Sequence, residues 1–436
     1  MRRFIKNRIL EQIENLLKKH SILEAALLRK EESDVSVLFA ACQETAILIG
    51  NTIEADEVSH KSAIEKLETY CEAVYRQSAG LEEFARQRLD DYVLFVRDYV
   101  KNQIAEELEV VFFPYKASMW DSLESVWMAA EKDASCTAYV IPVPYFDKNP
   151  DGTVSAMHYE GDEFPEYVPV VNWKDYDVKS RHPDVIYIHN PYDNGNKVTT
   201  VHPDFYAKVL KQYTDMLVYI PYFVCVNDMI PAHLCVLPGI LYADRVIVQS
   251  EKAKEIYLRE FHKFEEEYQC RGAFGNAEEK FLALGSPKYD AVFRAMTEEV
   301  KLPEDWSRKI IKEDGSKKKV LLYNTSVSQL LAGREELLKK IQSVFAQMKD
   351  REDVILLWRP HPLSETTCEA MRPELLEAYD TMVKTYRTEN WGIYDDTPDL
   401  HRAIAVSDAY YGDMSSLVEL YRVTGKPVMI QNLDVV

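Results

Sequence analysis

Two short segments in the C-terminal half carry groups suited to phosphate chemistry. Arg359-Pro360-His361-Pro362 follows the apolar run Ile355-Leu356-Leu357-Trp358, and Asp413-Met414-Ser415-Ser416 follows Ala409-Tyr410-Tyr411-Gly412. A guanidinium pairs with phosphate or carboxylate, and an imidazolium can stabilise charge developing on a phosphate. The two prolines fix the backbone that carries Arg359 and His361. Hydroxyls beside the free N–H groups of a helix start also receive anions. An ion-paired loop and an ordinary helix cap explain the same residues without a ligand. A third segment, Asn324-Thr325-Ser326-Val327-Ser328, adds an amide and more hydroxyls after the run 320–323. Ligands of open α/β sheets bind beyond the carboxyl ends of the strands. Three such ends on one edge would make Arg359, His361, Ser326, Ser415 and Ser416 a diphosphate site.

The elements that would position these groups fall into three regions. Residues 1–106 are nearly free of Gly and Pro and repeat apolar positions with helical spacing. Ile5, Ile9, Ile13 and Leu16-Leu17 share one helix face, and Ile64, Leu67, Tyr70-Cys71 and Val74 share another. A helical bundle or set of helical hairpins is expected there. Its charged faces are either plain solvated surface or a surface for a partner or for self-association. From 107 to 300, short apolar runs alternate with helical stretches. Strands are expected at 110–113, 138–142, 185–189, 217–226, 245–249 and 281–284, in a parallel sheet. Residues 146–182 break this rhythm and read as a long loop or β-excursion. The charged stretch 296–319 reads as a linker. A second α/β series fills 301–436, with strands at 320–323, 354–359, 392–394, 409–411 and 427–430. The expected fold is thus α/β, two Rossmann-like domains with parallel sheets and a cleft between them, behind an all-α N-terminal region.

In these motifs the chain resembles the bacterial CDP-glycerol glycerophosphotransferases of teichoic-acid synthesis, which have the GT-B fold. The resemblance rests on Arg359-Pro360-His361-Pro362, on Ser407-Asp408 followed by Asp413-Met414-Ser415-Ser416, on Gly285-Ser286-Pro287-Lys288-Tyr289-Asp290 and on Gly425-Lys426-Pro427. It covers roughly 107–432. It implies that His361, Asp413, Ser415 and Ser416 hold the diphosphate of a nucleotide-activated donor. It places Asp395 and Asp396 near the nucleoside pocket, although a turn before Pro398 explains them equally. The family's His-Gly base pair is missing, and Met414 stands where the family has Tyr. His189, with Asp193 close by, and His233 are the candidate general bases, each set against an ordinary loop histidine. The chain ends just after a strand, so the C-terminal domain is expected to be truncated or completed by other structure.

Bulk properties narrow the partners. With 52 Lys and Arg against 72 Asp and Glu, the net charge of −20 disfavours charge-driven binding to nucleic acid. Seven scattered cysteines, without C-x-x-C or zinc spacing, fit a reducing cytoplasm. No run approaches 18 apolar residues, so no transmembrane helix is expected, while peripheral contact with the inner membrane face stays open. No D-x-D motif stands at a strand end, so neither metal nor cofactor is expected, and donor activation would rest on cationic side chains and a helix dipole. The expected activity is transfer of glycerol phosphate, or a sugar, from a nucleotide-activated donor to a cell-wall or capsular polymer or lipid-linked acceptor. Two alternatives stand beside it. One is a catalytically degenerate binding or scaffold protein acting through its helical N-terminal region; the other is a sugar-nucleotide epimerase of the same architecture.

Overall fold

The computed structural model describes residues 1–29, 32–149, 151–397 and 399–431. Four long helices lead the chain: α1 (Arg3–Arg29), α2 (Glu32–Glu54), α3 (Lys61–Ser78) and α4 (Arg86–Gln103). Each packs on its neighbours in sequence and α4 returns to α1, closing a four-helix bundle. Ile9, Ile13, Leu16 and Leu23 meet Cys42, Ala46, Ile49, Leu67, Tyr70, Val93 and Val96 in its core. The stretch Val35–Glu54 is, by length and composition, apolar enough to cross a membrane, with mean hydropathy 1.3. This departs from the sequence expectation, because Gln43, Glu44 and Thr45 interrupt the apolar run without lowering its average enough. In the fold this helix turns one face into the bundle.

Among the described residues the α/β part carries fourteen strands. In the first half these are β1 (Leu108–Phe113), β2 (Cys136–Val140), β3 (Tyr145–Lys148), β4 (Val154–His158), β5 (Val185–Ile188), β6 (Thr199–Val201), β7 (Met216–Tyr219), β8 (Arg245–Val248) and β9 (Phe281–Ala283). In the second they are β10 (Lys319–Thr325), β11 (Val354–Pro360), β12 (Ile393–Tyr394), β13 (Ala409–Gly412) and β14 (Val428–Ile430). A parallel sheet runs β2-β1-β5-β7-β8-β9, a second runs β12-β11-β10-β13-β14, and β4-β3-β6 form a small antiparallel sheet. Of these, β4 and most of β3 lie in the stretch 146–182 expected to form a long loop or β-excursion, and β6 lies beyond it. Strand order reverses between β1 and β5 in one sheet and between β10 and β13 in the other. Such switch points are where doubly wound sheets leave a crevice. The architecture is therefore two parallel α/β units behind an all-α region.

One expectation fails between the units. The stretch 296–319 contains the helix Glu304–Ile310, and its Trp306 and Ile310, four residues apart, are buried in the second core. Two apolar residues at helical spacing decide the matter within a charged background. Helix Pro287–Thr297 spans the seam, packing on helices Glu124–Lys132, Leu400–Val406 and Ser416–Arg422. Lys288 Nζ binds both oxygens of Asp121 at 2.6 and 2.5 Å, and His401 of the second unit stands 3.4 Å from the same carboxylate.

Both units close a short helix in the same way. Lys280 Nζ donates to the carbonyls of Ile240 (3.1 Å) and Leu241 (3.0 Å), and Lys426 Nζ to those of Ile404 (2.9 Å) and Ala405 (3.0 Å). The last carbonyls of a helix lack intrahelical partners, and an ammonium satisfies several at once. Lys426 is the lysine of Gly425-Lys426-Pro427, so the motif has a structural reason. Lys426→Met is expected to lower unfolding free energy by about 1–3 kcal/mol in urea titration, by leaving half-buried carbonyls unpaired.

Candidate functional site

At the switch point of the second sheet, the tips of β10 and β13 are joined by side chain and backbone. Asp413 is buried and its Oδ2 accepts the Ser326 N–H at 2.6 Å, while the Asp413 N–H donates to the Asn324 carbonyl at 3.0 Å. Burial pushes the Asp413 carboxyl above its ordinary range, against the pull of the Ser326 hydrogen bond. Gly412 lies beside it with φ +140°, where a Cβ would sit 2.1 Å from the Asn324 carbonyl oxygen. No other residue allows that approach. Asn324 reaches both ways: its Nδ2 donates to the Arg359 carbonyl at 2.9 Å, and its Oδ1 accepts Ser415 Oγ–H at 3.1 Å. Ser326 caps helix Val327–Met348, its Oγ accepting the Gln329 N–H at 3.3 Å and lying 3.1 Å from Ser328 Oγ. Ser415, Asp413 and Ser326 are thus brought together, with Ser416 exposed at the start of helix Ser416–Arg422.

Arg359 does not join them. Its buried guanidinium pairs with the buried carboxylate of Asp395 and donates to the Thr397 carbonyl at 2.8 Å. The second oxygen of Asp395 accepts Thr397 Oγ1–H at 2.6 Å and the Thr397 N–H at 3.1 Å. A carboxylate at the end of β12 needs a cation once buried, and the neighbouring strand supplies it. The expectation that Arg359 grips a diphosphate is corrected accordingly. So is the placement of Asp395 at a nucleoside. Asp396 is exposed and pairs with Arg387.

His361 is the open member of the first motif. Its N–H donates to the Thr325 carbonyl at 2.9 Å, anchoring it to the β10 tip. Its Nδ1 accepts the Leu363 N–H at 3.1 Å, which leaves Nε2 for a ligand. Partial desolvation lowers its pKa, so the neutral ring is favoured. It lines a pocket of about 410 Å³ beyond the ends of β11 and β12, with Lys384, Arg387, Tyr394 and Asp396. The Arg387 guanidinium lies 4.2 Å over the Tyr394 ring. Sequence reading missed Lys384 and Arg387; their spacing of three on one helix, facing the end of β12, was the available signal.

In the first unit one candidate base is committed to the fold and the other stands exposed. His189 is buried, its Nε2 accepting the Tyr115 N–H at 2.6 Å. Its Nδ1–H lies 2.9 Å from Ser122 Oγ, whose own hydrogen goes to the Met119 carbonyl at 2.7 Å. Both nitrogens are therefore occupied, and burial drives the pKa down to about 3. Asp193 does not orient it: that carboxylate accepts the Ala207 N–H at 2.9 Å and is pushed up to about 6 by burial. His189 instead bridges the ends of β1 and β5, so its assignment as a base is corrected. His233 is exposed on the turn Ala232–Leu234, with no hydrogen bond to the described residues.

No protein-family model matches the chain, and no curated protein matches it by sequence. Among solved structures it is similar to a UDP-GlcNAc 2-epimerase from Neisseria meningitidis bound to UDP-GlcNAc, at 10% identity and TM-score 0.44, over 74% of this chain and 82% of that one. Anabaena HepE, solved with UDP and glucose, is similar at 12% identity and TM-score 0.40, over 74% and 80%. The catalytic domain of starch synthase IV from Arabidopsis thaliana, bound to ADP and acarbose, follows at 10% identity and TM-score 0.36, over 70% and 78%.

Two outcomes follow from the buried pairs. Asp395→Ala strands the Arg359 charge and is expected to cost about 3–5 kcal/mol in chemical denaturation, where an exposed ligand contact would cost almost nothing. His189 is neutral in the fold but takes a proton in the unfolded chain below about pH 6.5, so stability should fall as pH drops from there towards about 3. Melting curves across that range should show the slope, at most about 1.4 kcal/mol per pH unit, and His189→Gln should lose it.

Proposed function

We propose that the chain is a transferase acting on a nucleotide-activated donor. Its motifs favour CDP-glycerol, with glycerol phosphate (or a sugar, from a nucleotide sugar) moved to a hydroxyl of a cell-wall or capsular polymer. The observation that carries this reading is the Asn324-centred cluster at the switch point, with His361 and an open pocket beside it. A donor laid across this edge would have its diphosphate at Ser326, Ser415 and Ser416, and its nucleoside in the pocket at the ends of β11 and β12. The strands from β13 to β12 span three spacings, about 14 Å. His361 stands between the two subsites. The acceptor oxygen attacks the donor phosphorus and CMP leaves with the electron pair of the broken P–O bond. Serine hydroxyls, the His361 ring and Lys384 bear the charge, so the reading calls for no cofactor. Work at the cytoplasmic face, on a lipid-linked or polymeric acceptor, belongs to the same proposal.

The internal commitment of Arg359 and His189 favours a second reading, a nucleotide-binding or scaffold protein without turnover that acts through its helical region. Calorimetric titration with CDP-glycerol and with UDP-GlcNAc, followed by a turnover assay, separates the two. The transferase reading expects one donor to bind with Kd of about 1 μM–1 mM and to be consumed. His361→Ala should weaken binding roughly tenfold with the fold intact. Because burial keeps the ring neutral and the Leu363 N–H occupies Nδ1, His361 would donate Nε2–H to the diphosphate, so affinity should stay level from about pH 8 to about 6.5, and His361→Gln, which can also donate, should bind more tightly than His361→Ala. Binding without turnover selects the second reading, and binding of neither nucleotide overturns the transferase reading.

A further inference from the structure

The loop that leaves the carboxyl end of β7 in the first unit reaches the serine cluster of the second. Its Val224 is buried in the second core, together with Leu417, Val418 and Tyr421 of helix Ser416–Arg422. Three residues on, Asn227 holds that helix with backbone and side chain. The Asn227 N–H donates to Glu419 Oε1 at 3.0 Å, and its Oδ1 accepts from Arg422 Nη1 at 2.9 Å. Arg422 Nη1 also meets Glu419 Oε1 at 2.6 Å, which closes a triangle. On the side of the first unit, Lys252 Nζ donates to the Asn227 carbonyl at 2.8 Å. Gln249, at the end of β8, clamps the rest of the loop. Its Oε1 accepts the Cys225 N–H at 2.7 Å, and its Nε2 donates to the Cys225 carbonyl at 2.9 Å and to Asp228 Oδ1 at 2.7 Å. Asn227 and Asp228 have φ of +50° and +59°. Two successive non-glycine residues in the left-handed region are strained, and such strain gathers at ligand clamps.

We infer that Asn227 is a positioning residue of the donor site, acting on the Ser416 hydroxyl through Glu419 and Arg422, an assignment that rests on the transferase reading. Glu419 follows Ser416 by three residues, so the two are neighbours on the helix surface, about 4.5 Å apart along its axis. Asn324 holds Ser415 from β10 at 3.1 Å. One such tie leaves a two-turn helix free to pivot, and the loop after β7 supplies the second. The contacts are exposed and add little to stability, so what they set is orientation. A hydroxyl held in place before the donor arrives loses less freedom on binding it.

The test uses the full chain and the donor that the titration identifies. Asn227→Val, whose branched side chain excludes the left-handed backbone, should weaken donor binding about three- to tenfold. Glu419→Ala removes the acceptor from the other side of the same bond and should do likewise, whether or not the valine loop rearranges further. Asn227→Gly keeps the backbone and its bond to Glu419, and should bind donor within about twofold of wild type. In a Ser416→Ala background neither Asn227→Val nor Glu419→Ala should cost further affinity, because both act through that hydroxyl. A merely structural contact would add its full effect there and lower the melting temperature. Wild-type affinity in both variants, or the same loss with and without the Ser416 hydroxyl, overturns this role and leaves the transferase reading standing. Absence of nucleotide binding by the wild-type chain overturns the transferase reading, and this role with it.

Discussion

The Ser326 N–H donated to the buried Asp413 carboxylate ties β10 to β13, and the C-terminal edge of the second sheet takes its shape from that bond. A switch point separates the loops that follow its two strands, so nothing in the sheet itself holds those loops together. A buried carboxylate with a short backbone donor does. Gly412 permits the close approach, and Asn324 extends the connection to β11 through the Arg359 carbonyl. Breaking the bond would leave a desolvated carboxylate and a desolvated N–H, a penalty larger than the bond's net worth. The serines of this edge are therefore mounted on fixed backbone.

A comparable set of buried charges fixes the helical bundle to the first sheet. Arg2 Nε meets Glu109 Oε2 at 2.8 Å and Arg3 Nε meets Asp184 Oδ1 at 3.0 Å, with Arg181 Nε on Glu109 at 2.8 Å. Glu109 and Asp184 are buried on β1 and before β5. Removing either partner of such a pair strands a charge, so the bundle and the sheet are coupled through their termini. Phe4 adds a stack on His182 at 4.5 Å. On the outer side of α2, Val37, Ile47 and Leu48 are exposed.

Periodicity made the architecture legible. The i, i+3, i+4, i+7 pattern of Ile64, Leu67, Tyr70-Cys71 and Val74 gave α3, and β-branched runs between helical stretches gave both parallel sheets. The helix at Glu304–Ile310 was hidden because Trp306 and Ile310 are its only buried apolar residues in a run of charges. The neighbourhood of strand ends was legible too, since Ser326, Asp413 and Ser415 do share one edge. What periodicity cannot convey is the partner of each polar group. Arg359 and Asp395 are 36 residues apart in sequence and meet only because β12 pairs with β11.

His189 and His361 show what decides between a structural and a chemical histidine at a strand end. Each follows a buried strand, and each has a ring nitrogen accepting a backbone N–H. β5 lies inside a six-stranded sheet and its end is roofed by the β3–β4–β6 sheet, so His189 loses all contact with water. β11 is flanked by the two-residue β12, which ends too early to cover His361. The difference lies in the neighbouring elements, since the residues themselves are alike. Desolvation strips the first ring of its second protonation state, while the second keeps a free nitrogen over a pocket.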